Sequence, residues 1–212
     1  MNKIITVFFI FFISLSYAQK IKKNQYYSYE FKEISKDSFY SLLDKDENLT
    51  LKYENDSTYI NAIFKIKRKA SFTKDEFNNL KKKLEVLSNK KIDLNSTIII
   101  NYLSKNPKIK DSINKTKWNI FHKKYLKKIK KELNVSVFWI NNPLQKNLRY
   151  YRDDLVNWIE DKDHYFRDLL FPYDFLYGSF SVIDNQGNYI SNYGEYGKQQ
   201  VIEYLEELNK KK

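Results

Sequence analysis

Thr97-Ile-Ile-Ile-Asn-Tyr-Leu103 is the stretch on which the fold turns. It is continuous, apolar and rich in β-branched residues, the pattern of a central strand buried on both faces. Val135–Ile140 has the same character. Between them the spacing of Trp118, Phe121, Tyr125, Ile129 and Leu133 predicts a long helix over about 112–133, with lysines on the remaining faces. Two buried strands joined by a helix form a right-handed βαβ unit. Downstream, helical stretches are expected near 153–160 and 163–171, the second ended by Pro172. Asp153-Asp154 is read as the N-cap of the first. Ser179–Ile183, the turn Asp184-Asn-Gln-Gly187 and Asn188–Asn192 read as a hairpin. A helix at 198–209 closes the series, with Val201, Ile202, Leu205 and Leu208 inward. From residue 97 the order is β-α-β-α-β-β-α, an α/β core over about 95–209.

Upstream lies an N-terminal β/α extension, 19–94. Alternation over 26–34 predicts one strand, and Ser35 is placed to cap a short helix carrying Phe39, Leu42 and Leu43. Residues 44–57 read as loop with an extended piece at 49–53, and Tyr59–Ile66 as a second strand. Thr73-Lys-Asp-Glu76 is a capping box, followed by Phe77, Leu80, Leu84 and Leu87 at helical spacing, so a helix is expected at 73–88. No repeat or low-complexity linker appears, and residues 95–212 with their extension read as one globular unit. Residues 1–18 read as a secretory signal peptide. Lys3 supplies the charge, Ile4–Ile13 the apolar stretch and Ser16-Tyr17-Ala18 the cleavage site before Gln19. The run is too short to span a bilayer, which needs about 20 apolar residues. The expectation is an exported chain, periplasmic or extracellular, with no membrane span after cleavage.

The order of elements resembles the thioredoxin fold, and more closely its exported thioredoxin-like reductase and peroxiredoxin branch. Gly178-Ser-Phe-Ser-Val-Ile-Asp184-Asn-Gln-Gly187-Asn-Tyr-Ile190 is similar to that family's strand, Ile-Asp-x-x-Gly turn and return strand. Asp161-Lys-Asp163 resembles the segment leading into it, and Ile98-Ile-Ile-Asn-Tyr102 the strand before the active-site loop. The resemblance implies a Cys-x-x-Cys at the top of the first helix and a cis-proline before the hairpin. Here those positions fall on Pro107 and Lys110, and on Gly178. The chain has no cysteine anywhere, so thiol–disulfide exchange, thiol peroxidase chemistry, disulfide scaffolds and thiolate metal sites are excluded. What the resemblance leaves is a scaffold whose former active-site edge, with Asn106, Pro107, Lys110 and Gly178, binds an exported peptide or protein without catalysis. No cofactor and no metal is expected.

Two further readings come from charge and from histidine. The formal charge is +12, and residues 65–131 hold 21 basic against five acidic residues. An anionic polymer could bind the lysine-rich stretch 105–131. Only four of the 38 basic residues are Arg (Arg68, Arg149, Arg152, Arg167), which argues against base-specific nucleic-acid recognition, and a solvated helix face is the favoured reading. His122, beside the apolar stripe, reads as a packed histidine. His164 follows Asp161 and Asp163, and a carboxylate–imidazole pair could serve an exported hydrolytic enzyme. Two histidines without cysteine make a closed zinc site a poor fit, and a local hydrogen bond at a helix start is favoured for His164.

Overall fold

The computed structural model describes residues 22–44, 46–104, 114–132, 134–175 and 178–210. The expected signal peptide, 1–18, lies outside them. The chain divides into a unit ending at Phe64 and a unit beginning at Lys65. The sequence reading separates extension from core at 94/95, so the segment 65–94 counts here with the core.

The first unit holds β1 (Lys23–Tyr27), β2 (Glu33–Ile34), α1 (Lys36–Ser41), β3 (Asn48–Glu54) and most of β4 (Thr58–Lys65). Its sheet runs β2-β1-β4-β3, with β1 parallel to β4 and antiparallel to β2. The single strand expected at 26–34 is broken into two. Phe31 takes a left-handed φ of 58°, and Phe31 N–H donates to the Ser28 carbonyl at 2.9 Å, reversing the chain. Alternation of side chains survives a tight turn, so the pattern alone does not reveal the break. Ser35 caps α1 as expected, its Oγ accepting the Ser38 N–H at 3.1 Å. Phe39, buried, packs its ring 5.1 Å from that of Tyr26.

The second unit is an α/β arrangement on a mixed six-stranded sheet, β5-β10-β9-β6-β7-β8. Its strands are β5 (Lys67–Ser71), β6 (Thr97–Leu103), β7 (Val135–Asn141), β8 (Trp158–Glu160), β9 (Ser179–Ile183) and β10 (Asn188–Tyr193). Strands β6, β7 and β8 are parallel; β9 returns antiparallel to β6, and β10 and β5 continue antiparallel. All seven residues of β6 are buried, as a central strand covered on both faces requires. The helices are α2 (Lys74–Ser88), α3 (Lys123–Glu132), α4 (Tyr165–Leu170) and α5 (Lys198–Asn209). The capping box of α2 is present with both hydrogen bonds, Glu76 N–H to Thr73 Oγ1 at 3.3 Å and Thr73 N–H to Glu76 Oε2 at 2.8 Å.

Three expectations need correction. The helix read over 112–133 is α3 alone, preceded by a 3-10 turn at Asn119–Phe121. Trp118 is drawn out of helical geometry because its indole N–H donates to the Tyr196 carbonyl. The Asn119 Oδ1 accepts the Lys198 N–H at 2.8 Å, tying the turn to the start of α5. No helix occupies 153–160. Arg152 sits at φ 62°, and the chain then enters β8, in register with β7 as Trp139↔Trp158, Ile140↔Ile159 and Asn141↔Glu160. The Trp158 ring lies 5.6 Å from Trp139 and 6.4 Å from Phe121, so aromatic packing outweighs helix propensity. Asp154 therefore caps nothing; it accepts from Arg152 at 3.0 Å and pairs with Lys115 at 2.9 Å. Strand β5 is absent from the sequence reading, because Lys67-Arg-Lys69 reads as solvated surface. It lies at the sheet edge, where lysines deter edge pairing, and Lys67 and Lys69 both pair with Glu207 of α5.

One apolar cluster gathers Ile99 and Leu103 of β6 with Phe121, Tyr125 and Ile129 around α3 and Val201 and Leu205 of α5. Tyr102 alternates to the other face of β6, where its ring stacks on Phe171 at 4.9 Å. Among the described residues, no helix is long and apolar enough to cross a membrane.

Candidate functional site at the carboxyl ends of the parallel strands

Strands β6, β7 and β8 end side by side at Leu103, Asn141 and Glu160. In open α/β sheets the carboxyl edge of parallel strands is where loops diverge and ligands are held. Backbone bonds pin this edge: Asn142 N–H donates to the Leu103 carbonyl at 2.8 Å, and Asp161 N–H to the Asn141 carbonyl at 3.0 Å. The chain after β7 folds over the edge through buried Asn142, Gln145 and Asn147. Gln145 donates from Nε2 to the Ser104 carbonyl at 3.3 Å, and Asn142 Oδ1 accepts the Leu144 N–H at 2.9 Å in an Asx turn.

Gly178 meets the same edge. Its φ is +78°, and a Cβ there would lie 2.5 Å from the Tyr102 carbonyl oxygen and 3.5 Å from the Trp118 ring. Both the left-handed backbone and the close approach require glycine. Gly178 is thus held against the end of β6. The other residues expected at this edge, Asn106, Pro107 and Lys110, lie outside the described residues.

The edge also carries buried polar atoms that are poorly satisfied among the described residues. Tyr102 Oη, Ser104 Oγ and Asn141 Oδ1 are buried without a geometrically sound hydrogen bond, and each residue is at most 3% exposed. Buried polar groups are nearly always paired, so three at the ends of two neighbouring strands demand a reason. Burial pushes the Tyr102 phenol well above its ordinary value; the charges of Asp161 and Asp174 add to this, and Arg167 and a poorly aligned hydrogen bond with the Asn142 side chain partly offset it. The group is a neutral donor at any physiological pH. Ser104 and Asn141 are neutral too. Such a set can hydrogen-bond amides and hydroxyls; it contains no general base.

The carboxylates nearby are committed elsewhere. Asp161, 1% exposed, accepts the Phe166 N–H at 3.3 Å and the Arg167 N–H at 2.9 Å, capping α4. Asp163 is held below its ordinary pKa by Lys83, 2.6 Å away. His164 takes φ 56° at the start of α4, makes no side-chain cap, and its Nδ1 is buried without a partner. Among the described residues the local hydrogen bond expected of its ring is not made at Nδ1, and neither Asp161 nor Asp163 bonds the imidazole. His122 also differs from expectation: it is exposed, ending the 3-10 turn, because the chain leaves helical geometry there with ψ 125°. Among the described residues, no group of three or more His, Asp or Glu could hold a metal ion.

Tyr102, Ser104 and Asn141 were missed by sequence reasoning. Their signal is weak but present: polar atoms at the ends of two otherwise apolar strands. Comparison with protein-family models, curated proteins and solved structures finds no match to this chain.

Proposed function

We propose that this chain is an exported, cysteine-free protein of thioredoxin-like architecture that binds a peptide or protein partner at the carboxyl edge of β6 and β7, without catalysis. The succession β6, α3, β7, α4, β9, β10, α5, with β8 inserted after β7, follows the order on which the resemblance rests. The observation that carries the binding reading is the set of neutral, buried atoms at the ends of β6 and β7 that lack a well-formed hydrogen bond among the described residues: Tyr102 Oη and Ser104 Oγ, with Gly178 against the Tyr102 carbonyl, and Asn141 Oδ1 on the opposite face of the sheet. A peptide main chain offers both carbonyl and N–H groups, which match hydroxyl donors and an amide oxygen. The committed carboxylates of Asp161 and Asp163 weigh against a hydrolytic His164 dyad. Export rests on Lys3, the apolar Ile4–Ile13 and the Ser16-x-Ala18 site.

The test is selection of binders from a random peptide library, followed by affinity measurement on a Tyr102→Phe/Ser104→Ala double variant. Selected peptides should bind the double variant about tenfold more weakly, since each lost hydrogen bond is worth about 0.5–1.5 kcal/mol. Equal affinity for wild type and variant, or no peptide bound at millimolar concentration, would remove the reading.

A further inference from the structure

The sequence places anion binding, if any, along the whole lysine run 105–131. Folding concentrates charge differently. A cleft of about 410 Å³ opens beside the start of α3, and His122, Lys123, Lys124, Arg152 and Lys198 line it with no acidic residue among its walls. Its apolar wall includes the buried rings of Phe121 and Tyr125. Lys198 comes from α5, 74 positions away in sequence, and is brought in by the Asn119 bond to its backbone. Arg152 comes from the turn before β8, and its guanidinium is already engaged by both oxygens of Asp154 at 3.0 and 3.2 Å. His122, Lys123, Lys124 and Lys198 form no salt bridge among the described residues. Lys123 and Lys124 also occupy the first turn of α3, which contains no acidic residue; positive charge there opposes the helix dipole. Three segments therefore deliver like charge to one concavity, where a cleft focuses the field, and among the described residues the only one of these side chains with a carboxylate partner is Arg152, with Asp154.

We propose that this cleft binds a compact, multiply charged phosphate group. Lysine ammonium groups act as point charges with rotatable donors and suit a tetrahedral oxyanion. The one planar fork that would favour a carboxylate, Arg152, is occupied by Asp154. The site is independent of the partner-binding edge, which involves none of these residues.

Calorimetric titration of the purified full-length protein with inorganic pyrophosphate at low salt tests this. Saturable one-site binding that weakens as salt rises is expected. Lys123→Gln/Lys124→Gln should weaken it by about tenfold and Lys198→Gln by about threefold. Lys127→Gln/Lys128→Gln is the matched control: it removes the same charge from exposed positions of α3 outside the cleft, and should change affinity by less than about twofold. A parallel titration with inorganic polyphosphate separates the sources. The same variant profile with tighter binding indicates phosphate carried on a larger molecule; equal affinity per site indicates a small free ligand. No saturable pyrophosphate binding, an unaffected Lys198→Gln, or equal losses in the two double variants would overturn the proposal, the last outcome meaning diffuse attraction to the helix.

Discussion

Tyr102→Phe should make this protein more stable, whereas the same substitution at Tyr196 should make it less so. Both tyrosines are buried. The Tyr196 hydroxyl donates to Asn101 Oδ1 at 2.8 Å, while the Tyr102 hydroxyl has the Asn142 side chain near it but not in good hydrogen-bond geometry. Folding strips water from each hydroxyl, and an unsatisfied buried group costs about 1–3 kcal/mol. Removing the Tyr102 oxygen recovers part of that cost, about 1 kcal/mol once some is lost to the small void left behind. Removing the Tyr196 oxygen loses a hydrogen bond and strands Asn101 Oδ1, costing about 1–3 kcal/mol. The two variants should therefore differ by about 2–4 kcal/mol with opposite signs relative to wild type. For a chain of this size about 1 kcal/mol moves the melting temperature by about 2–4 °C. Urea unfolding followed by tryptophan fluorescence is the assay. Trp118, Trp139 and Trp158 all lie beyond Lys65, so the signal reports the unit that holds both tyrosines, and m-values should stay constant. A Tyr102→Phe protein destabilised by about 1 kcal/mol or more would show that the hydroxyl is satisfied, and with it the main support for the binding edge would fall.

Two further outcomes are expected. Gly178→Ala forces a Cβ to within 2.5 Å of the Tyr102 carbonyl at φ +78°, and urea denaturation should show a loss of about 2 kcal/mol or more; a neutral result would mean that the end of β6 yields easily. Glu207 is held below its ordinary 4.5 by Lys67 and then Lys69. A lowered folded-state pKa contributes stability that is full above the unfolded value and is lost as pH falls through the folded one, so the stability gap between wild type and Glu207→Gln should begin to narrow below about pH 4.5 and close as the pH passes the lower folded value; a gap that persists at strongly acid pH would assign the effect to packing.

The elements legible in the sequence are those where local chemistry and tertiary demand coincide. The box at Thr73 and Glu76 sets the start of α2 by satisfying two backbone donors on the spot. The run 97–103, apolar apart from Thr97 and Asn101, has no solvated face, so it reads as a central strand. The errors fall where long-range contacts override periodicity. Trp118, Phe121 and Tyr125 are spaced for a helix, and all face the same cluster, but Trp118 and Asn119 are held by Tyr196 and Lys198, and the helix starts only at Lys123. Residues 158–160 become a strand because Trp158 meets Trp139, a partner no local window contains.

The candidate site was legible only at Gly178, and there through resemblance rather than from the residue itself. Tyr102, Ser104 and Asn141 look like ordinary strand residues until their partners are sought in space, because an unsatisfied hydrogen bond is a property of surroundings and not of sequence.

The sequence alone determines what chemistry is absent, since a chain without cysteine supplies no thiolate in any fold. It also determines where the buried strands and the capped helix lie, since burial and capping follow from residues next to one another. Tertiary structure decides the rest. It puts Lys198 beside Lys123 and Lys124, gives Glu207 to Lys67 and Lys69 and engages Asp161 with α4. Charge and hydrogen-bond energies depend on distance in space, and that distance is set only when the sheet brings remote segments together.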